Sequence, residues 1–286
     1  MRPRSRRVQD ARTFILISGQ WIVNEREKKM KVTVLAENTS VGELPSEHGL
    51  SLYLETQQAN ILFDAGQSDL FAMNAECLGV DLAAVDICVL SHGHYDHSGG
   101  LRAFMARNEM APIYMSRYAA EPHVNAAQKE IGIDVTLADD PRVRLTEGVT
   151  VIGDGLTLYD CNDRRKKIKT NSYGLCRIDG GKRVEDDFRH EQYLLIEEHG
   201  KRVLISGCSH KGIVNIEEWF CPDVLIGGFH WMKEPVGETL YRYARMLDSY
   251  DTMYYTCHCT GEEQYRAVEP LMRRLQYLST GMTIEI

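Results

Sequence analysis

No apolar run in this 286-residue chain approaches the roughly 18 residues that a membrane-spanning helix needs. No secretory leader is expected either. Met1–Arg7 is basic and Phe14–Gly19 is apolar, but the apolar stretch is short and no small-residue cleavage site follows in register. Positive charge is in deficit: 33 Lys and Arg against 41 Asp and Glu give a formal net charge of −8, which disfavours general binding to nucleic acid or anionic membranes. There is no short repeat and no linker-like composition. What remains is 43% hydrophobic and 26% charged residues, the balance of a soluble globular protein expected in the cytoplasm. The length allows one large α/β domain or two small ones. Residues 1–29 read as a poorly ordered extension or the product of an upstream start codon, and 30–286 as a single domain.

The eight cysteines are an even number. In a chain of this length without a leader, with several cysteines in strand-like runs or beside histidines, reduced thiols are expected instead of disulfides.

Histidine is scarce, ten in all, and three of the ten fall in the run Ser91-His92-Gly93-His94-Tyr95-Asp96-His97-Ser98-Gly99-Gly100. The run follows the β-branched, apolar stretch Val85–Leu90, which reads as a buried strand, and precedes a helix. Four ligand-type side chains at a strand end can converge on one point, and imidazoles with a carboxylate suit zinc, iron or manganese. His92 and His94, two apart in an extended loop, point the same way and can share one metal. Asp96 and His97 diverge and can reach a second, and two metals about 3.5–4 Å apart are a recognised hydrolytic arrangement. A purely structural zinc site would favour a closed, thiolate-rich set.

This His-x-His-x-Asp-His run resembles the signature of the metallo-β-lactamase superfamily, from Met30 to Ile286. Ile61–Gly66 resembles its strand-Asp-x-Gly element, which buttresses the metal loop. Glu47-His48-Gly49, Gly207-Cys208-Ser209-His210-Lys211-Gly212, Gly227-Gly228-Phe229-His230 and Cys257-His258-Cys259-Thr260-Gly261 appear in order and resemble the dihydropteroate-synthase-like branch, which includes archaeal dihydropterin–ribofuranosylaminobenzene phosphate synthases. The resemblance implies an α/β fold, a four-layer αβ/βα sandwich with a two-metal site along one edge of the facing sheets.

It also implies the remaining ligands. By the superfamily's pattern His190, ahead of a hairpin over Gln192–Glu198 and Arg202–Ser206, completes the first metal, while Cys208 stands where a bridging aspartate often sits. His210, two residues past Cys208, competes with His190, and both stay candidates. His258 completes the second metal with Asp96 and His97. A thiolate at Cys208 favours zinc over manganese; a buried core thiol is the plainer reading. Alternation along a strand turns Cys257 and Cys259 away from the metal that His258 faces. His230 is expected on the substrate side, His48 near the same cleft, and His123 and His199 on the surface. The basic run Arg164–Lys169 is either solvated surface or a lip that attracts an anionic substrate.

The expected activity is hydrolysis of a phosphoester or related ester by a hydroxide held between two divalent ions, with Asp96 orienting it and His230 or Lys211 steadying developing negative charge. A small anionic substrate, and neither nucleic acid nor membrane, is the expected partner. The competing readings are a transferase using a dihydropterin diphosphate and a non-catalytic metal- or ligand-binding protein.

Overall fold

The computed structural model describes residues 29–286, together with Thr13–Ile17 and Gln20–Asn24, which pair antiparallel as a two-stranded ribbon outside the larger sheets. The rest of the expected N-terminal extension lies outside the described residues. Two seven-stranded sheets organise the chain. The first runs, edge to edge, Thr283–Glu285, Lys31–Ala36, Ser51–Glu55, Asn60–Phe63, Ile87–Val89, Ile113–Ser116 and Val143–Thr146. The second runs Val149–Gly153, Leu156–Tyr159, Tyr193–Glu198, Lys201–Ile205, Val224–Gly227, Met253–Thr256 and Leu275–Tyr277.

Alternation along the strands decides what packs where. Val32, Val34, Leu52 and Leu54 from the first sheet meet Leu194, Ile196, Val203 and Ile205 from the second in one buried layer. Their neighbours Leu35, Tyr53 and Leu62 face outward beneath helices Leu70–Leu78 and Leu101–Met105. Tyr193, Leu195 and Leu204 face the other way beneath helices Ile213–Phe220 and Glu238–Asp248. Helix, sheet, sheet and helix are thus stacked as four layers, the expected architecture.

Both sheets carry parallel strands in their central part, so loops at one end of those strands gather along a common edge. Cysteines stay reduced among the described residues, and none of the described helices is long and apolar enough to cross a membrane. The C-terminal segment is helical over Glu262–Val268; Pro270 sits in a short 3-10 turn, Glu269–Leu271, and the chain leaves as the parallel edge strand Leu275–Tyr277. Proline lacks the N–H that a longer helix would require.

Glu217, on helix Ile213–Phe220, is fully buried. One carboxylate oxygen accepts the Thr252 hydroxyl at 2.7 Å and the other has no partner. Burial pushes this carboxyl up to about 7, against the opposing pull of Thr252 and Tyr254. The folded protein therefore holds this proton more tightly than the unfolded chain. The stabilisation is complete below the ordinary carboxyl range and is lost as pH rises through about 7. Glu217→Gln is expected to melt roughly 5 °C above the parent at pH 8 and close to it at pH 5; equal melting differences at both pH values, read by calorimetry, would contradict this.

Candidate metal centre

The centre begins at the edge where the strands of the first sheet end. Strand Asn60–Phe63 delivers Asp64, and strand Ile87–Val89 delivers the histidine loop, which closes into the short helix Tyr95–Ser98. Asp64 is fully buried with φ of 59°. Its Oδ1 accepts the Ser91 backbone N–H at 2.7 Å; its Oδ2 accepts the Ser91 hydroxyl at 2.7 Å and lies 2.6 Å from His97 Nδ1. Gly93 lies so close to a neighbouring turn that a Cβ would sit 2.2 Å from the Ala119 carbonyl oxygen.

Two groups of donors converge above this loop. His92, His94 and His210 form one, their ligand atoms all within 4.8 Å of one another, with His92 Nε2 and His210 Nε2 3.3 Å apart. The other gathers around His97 Nε2, which is 3.2 Å from His258 Nε2, 3.2 Å from Cys208 Sγ and 3.9 Å from Asp96 Oδ2; His258 Nε2 is 3.5 Å from the same Asp96 oxygen. Cys208 Sγ also lies within 4.8 Å of ligand atoms of His92 and of His210, so it stands between the two groups.

Hydrogen bonding on the far side of each ring fixes what faces inward. Ser91 gives its hydroxyl proton to Asp64, so its oxygen accepts from His92 Nδ1 at 2.8 Å. Asn38 Oδ1, which accepts the Gly49 N–H, accepts His258 Nδ1 at 2.8 Å. With Nδ1 of each ring engaged outward, His92 and His258 turn Nε2 toward the centre. Burial, reinforced by the neighbouring imidazoles, holds His92 and His210 well below the ordinary range, and burial followed by His190 does the same for His94. His97 differs: burial pushes it down, but Asp64 and Asp96 outweigh that and raise it to about 9. Bare nitrogens 3.3 Å apart repel unless a cation lies between them, and a proton or a metal ion would be held at His97. The donor set of imidazoles, one carboxylate and one thiol fits divalent zinc-type ions.

The same accounting places His190. Its Nδ1 accepts the Gly93 N–H at 2.9 Å, so the ring proton sits on Nε2, 3.4 Å from Asp186 Oδ2. His190 therefore offers no lone pair to the first group, and His210 takes the place that the superfamily pattern suggested for it. His123 is not a surface residue but buried, its Nδ1 2.9 Å from the same Asp186 oxygen, and its ring packs edge-on to His94. His94, His123, Asp186 and His190 form a compact cluster behind the loop. The sequence carried no motif for it; only the buried surroundings of four polar residues reveal it. His199 is exposed, as expected.

Lys211 departs from its expected role. Fully buried, it donates from Nζ to the Asp160 carbonyl at 2.6 Å and the Glu191 carbonyl at 2.8 Å. Glu191 in turn accepts the backbone N–H groups of His210 and Lys211 and the Tyr193 hydroxyl. Lys211 thus braces the loop that carries His210 and does not line the cavity beside it. Cys259 departs too. Strand pairing stops at Thr256 and His258–Thr260 is a 3-10 turn, so alternation no longer applies and Cys259 Sγ comes within 4.8 Å of Cys208 Sγ and a His258 ring nitrogen. Gly228 makes room: a Cβ there would lie 2.4 Å from that sulfur.

A cavity of about 90 Å³ opens beside the first group, with Tyr173, His210, His230, Trp231 and Glu234 in its wall. His230 is half-buried, its ring 4.2 Å from that of His210, and neither nitrogen has a hydrogen-bond partner among the described residues. His48 is exposed, with Nε2 3.2 Å from Asp96 Oδ2, and that contact raises its pKa against partial burial. The basic run is largely exposed; of it, Ile168 and Lys169 reach the cavity.

Because Asp186 anchors two imidazoles against the loop, Asp186→Asn is expected to weaken metal retention about tenfold or more, as is usual when groups supporting metal ligands are removed. Competition with a chromophoric chelator would measure it, and unchanged affinity would make the cluster mere filling.

The sequence profile of the metallo-β-lactamase superfamily matches residues 46–161. An uncharacterised protein of Methanocaldococcus jannaschii is 28% identical over 238 residues, covering 80% of this chain and 90% of that one. The 7,8-dihydropterin-6-methyl-4-(β-D-ribofuranosyl)-aminobenzene-5'-phosphate synthase of the same organism is 29% identical over 232 residues, covering 70% and 77%. Among solved structures, a metal-dependent hydrolase of the β-lactamase superfamily superposes with a TM-score of 0.75 at 26% identity, over 90% of this chain and 99% of that one. A metallo-β-lactamase-fold protein of Bacillus subtilis superposes at 0.56 with 14% identity, over 91% and 100%, a likeness of fold alone. The four layers, the histidine loop on its strand end and these likenesses agree: the chain is similar to the metallo-β-lactamase superfamily.

Proposed function

We propose that this protein is a metal-dependent hydrolase of a phosphoester or related ester, with two divalent ions, preferentially zinc, as cofactors. The observation that carries the reading is the pair of donor groups meeting at Cys208, with imidazole nitrogens 3.3 Å apart in one and 3.2 Å apart in the other. His92, His94 and His210 would hold one ion and Asp96, His97 and His258 the other, with Cys208 shared. Bound ions would supply an acidified water and polarise the scissile oxygen.

The chain's own groups do the rest. Asp96 Oδ2, aligned by His48 and His258, is placed to accept a proton at the second position. His230, whose ring lies in the cavity wall, would donate toward an oxygen that gains negative charge. Ser91 and Asn38 hold His92 and His258 so that nothing reorganises during reaction. A second reading, transfer in place of hydrolysis, draws on the name of the synthase 29% identical to this chain.

Metal analysis of the purified protein, paired with hydrolysis of bis-p-nitrophenyl phosphate, tests the proposal. About two equivalents of metal with chelator-sensitive turnover is expected; two equivalents without turnover moves the reading to transfer, and less than one, not restored by zinc, iron or manganese, leaves a binding protein. His94→Ala should lose metal and activity together. His230→Gln should keep its metal and lose roughly a hundredfold in kcat; full activity in that variant would remove His230 from the chemistry.

A further inference from the structure

Cys259 is a buried thiol among the donors of the centre, and the proposed chemistry leaves it unused. Its Sγ lies within 4.8 Å of Cys208 Sγ and of a His258 ring nitrogen, and 3.3 Å from the Cys208 carbonyl oxygen. Both cysteines are free thiols. Cys257, two residues earlier, is packed instead between the two sheets, in the layer that holds Leu194 and Ile226.

Three loops bring the two sulfurs together. Strands Lys201–Ile205, Val224–Gly227 and Met253–Thr256 are adjacent and parallel, and Cys208, Gly228 and Cys259 follow their ends. The Gly228 N–H donates to the Gly207 carbonyl at 2.8 Å, and the Phe229 N–H donates to the Thr260 hydroxyl at 2.8 Å. Only glycine fits the middle loop: a Cβ at Gly228 would lie 2.4 Å from Cys259 Sγ and 3.2 Å from the Gly207 carbonyl oxygen.

We infer that Cys208 and Cys259 are a redox pair, which peroxide links as a disulfide when the centre holds no ion, and that the link blocks metal binding. The inference rests on the two-ion reading for Cys208 as a shared donor, but not for the disulfide itself. In the first step one sulfur attacks a peroxide oxygen, its proton passing to a base such as His258 in the same group. The O–O bond breaks, the attacked oxygen stays on sulfur as a sulfenic acid, and the other leaves with that proton as water. The second sulfur then attacks the sulfenic sulfur, the S–O bond breaks, and its oxygen leaves with the second thiol's proton as water. Two thiols and one peroxide thus give one disulfide and two waters; the sulfurs lose two electrons and peroxide gains them. Either order of attack gives the same product. A disulfide offers no thiolate, and the thiolate is the metal ligand. Entry is no harder for peroxide than for an ion. Cys208 and Cys259 are 3% and 2% exposed, against 0% for His92 and His97, so an opening that admits an ion to those imidazoles admits a molecule as small as peroxide.

The full-length protein, metal-loaded or stripped by chelator, is treated with hydrogen peroxide, alkylated and mapped by peptide mass spectrometry. A Cys208–Cys259 cross-link is expected in the stripped protein, reversed by dithiothreitol, and little or none in the loaded protein. The cross-linked form should hold zinc more than about tenfold less tightly than the reduced form, a larger loss than removing a supporting group causes, and dithiothreitol should restore the affinity. Cys259→Ser, with its fold checked by melting, should leave Cys208 to overoxidise to a sulfinic acid that dithiothreitol does not reverse. Absence of the cross-link, or links that include Cys257 equally, would overturn the pair and leave the hydrolase reading standing. A cross-link that leaves zinc affinity unchanged would overturn the blocking of metal and, with it, Cys208 as the shared donor.

Discussion

Asp64 accepts the amide and hydroxyl of Ser91 and holds the imidazole of His97, and all of these contacts are buried. Everything at the centre depends on them. Ser91 passes the constraint to His92 through its oxygen, so one carboxylate sets the tautomer and direction of a histidine in each donor group. The backbone cost is a left-handed residue, φ 59°, a conformation that aspartate tolerates better than most. Strain of this kind is of the order of 1–3 kcal/mol and persists only when the surroundings fix it. Here the parallel pairing of strands Asn60–Phe63 and Ile87–Val89 does so, because it brings Asp64 and Ser91 to the same sheet edge.

The third histidine of the first group follows from where protons can be. By chain order His190 precedes a hairpin and His210 follows it, and each could reach a neighbouring metal ligand. The Gly93 amide decides between them, since an imidazole nitrogen that accepts an N–H cannot also be the protonated one. His190 is committed to holding the loop and Asp186, whereas His210, stacked on Phe188 and braced through Glu191, is free to face His92. Lys211 belongs to this brace, and its ammonium is spent on two backbone carbonyls.

Much of this was legible in the sequence because the informative residues are local. The loop from His92 to His97 and its strand can be read from spacing, and alternation of large apolar residues predicts which strands are buried. Asp64 could be placed by resemblance. His123 could not, because nothing near it in sequence marks it as buried; it meets Asp186 across 63 residues through a small three-stranded sheet. Cys259 was misread for a different reason. The rule of alternating directions was sound, but the strand ends two residues earlier than the argument needed, at Thr256.

Cys208 gives the centre a property that an aspartate would not. Burial pushes its thiol well above the ordinary range, and the adjacent Cys259 thiol adds to that. Without a cation the group therefore stays protonated at neutral pH, whereas an aspartate would be charged. A coordinating thiol is deprotonated outright, so Cys208 must release a proton on ligation, and metal affinity gains a dependence on pH that carboxylate ligands lack near neutrality. In the two-ion reading proposed above, that charge would serve both donor groups, because the sulfur lies between them. The sulfur is also softer and its bond to zinc longer, about 2.3 Å against about 2.0–2.2 Å for oxygen. A thiophilic ion is favoured at this position. Gly207 and Gly228 let the loops around it approach closely: a Cβ at Gly207 would lie 2.2 Å from Ser91 Oγ, and one at Gly228 2.4 Å from Cys259 Sγ. The same two glycines therefore hold the Ser91 and Cys259 loops against each other at the sheet edge where the donors meet.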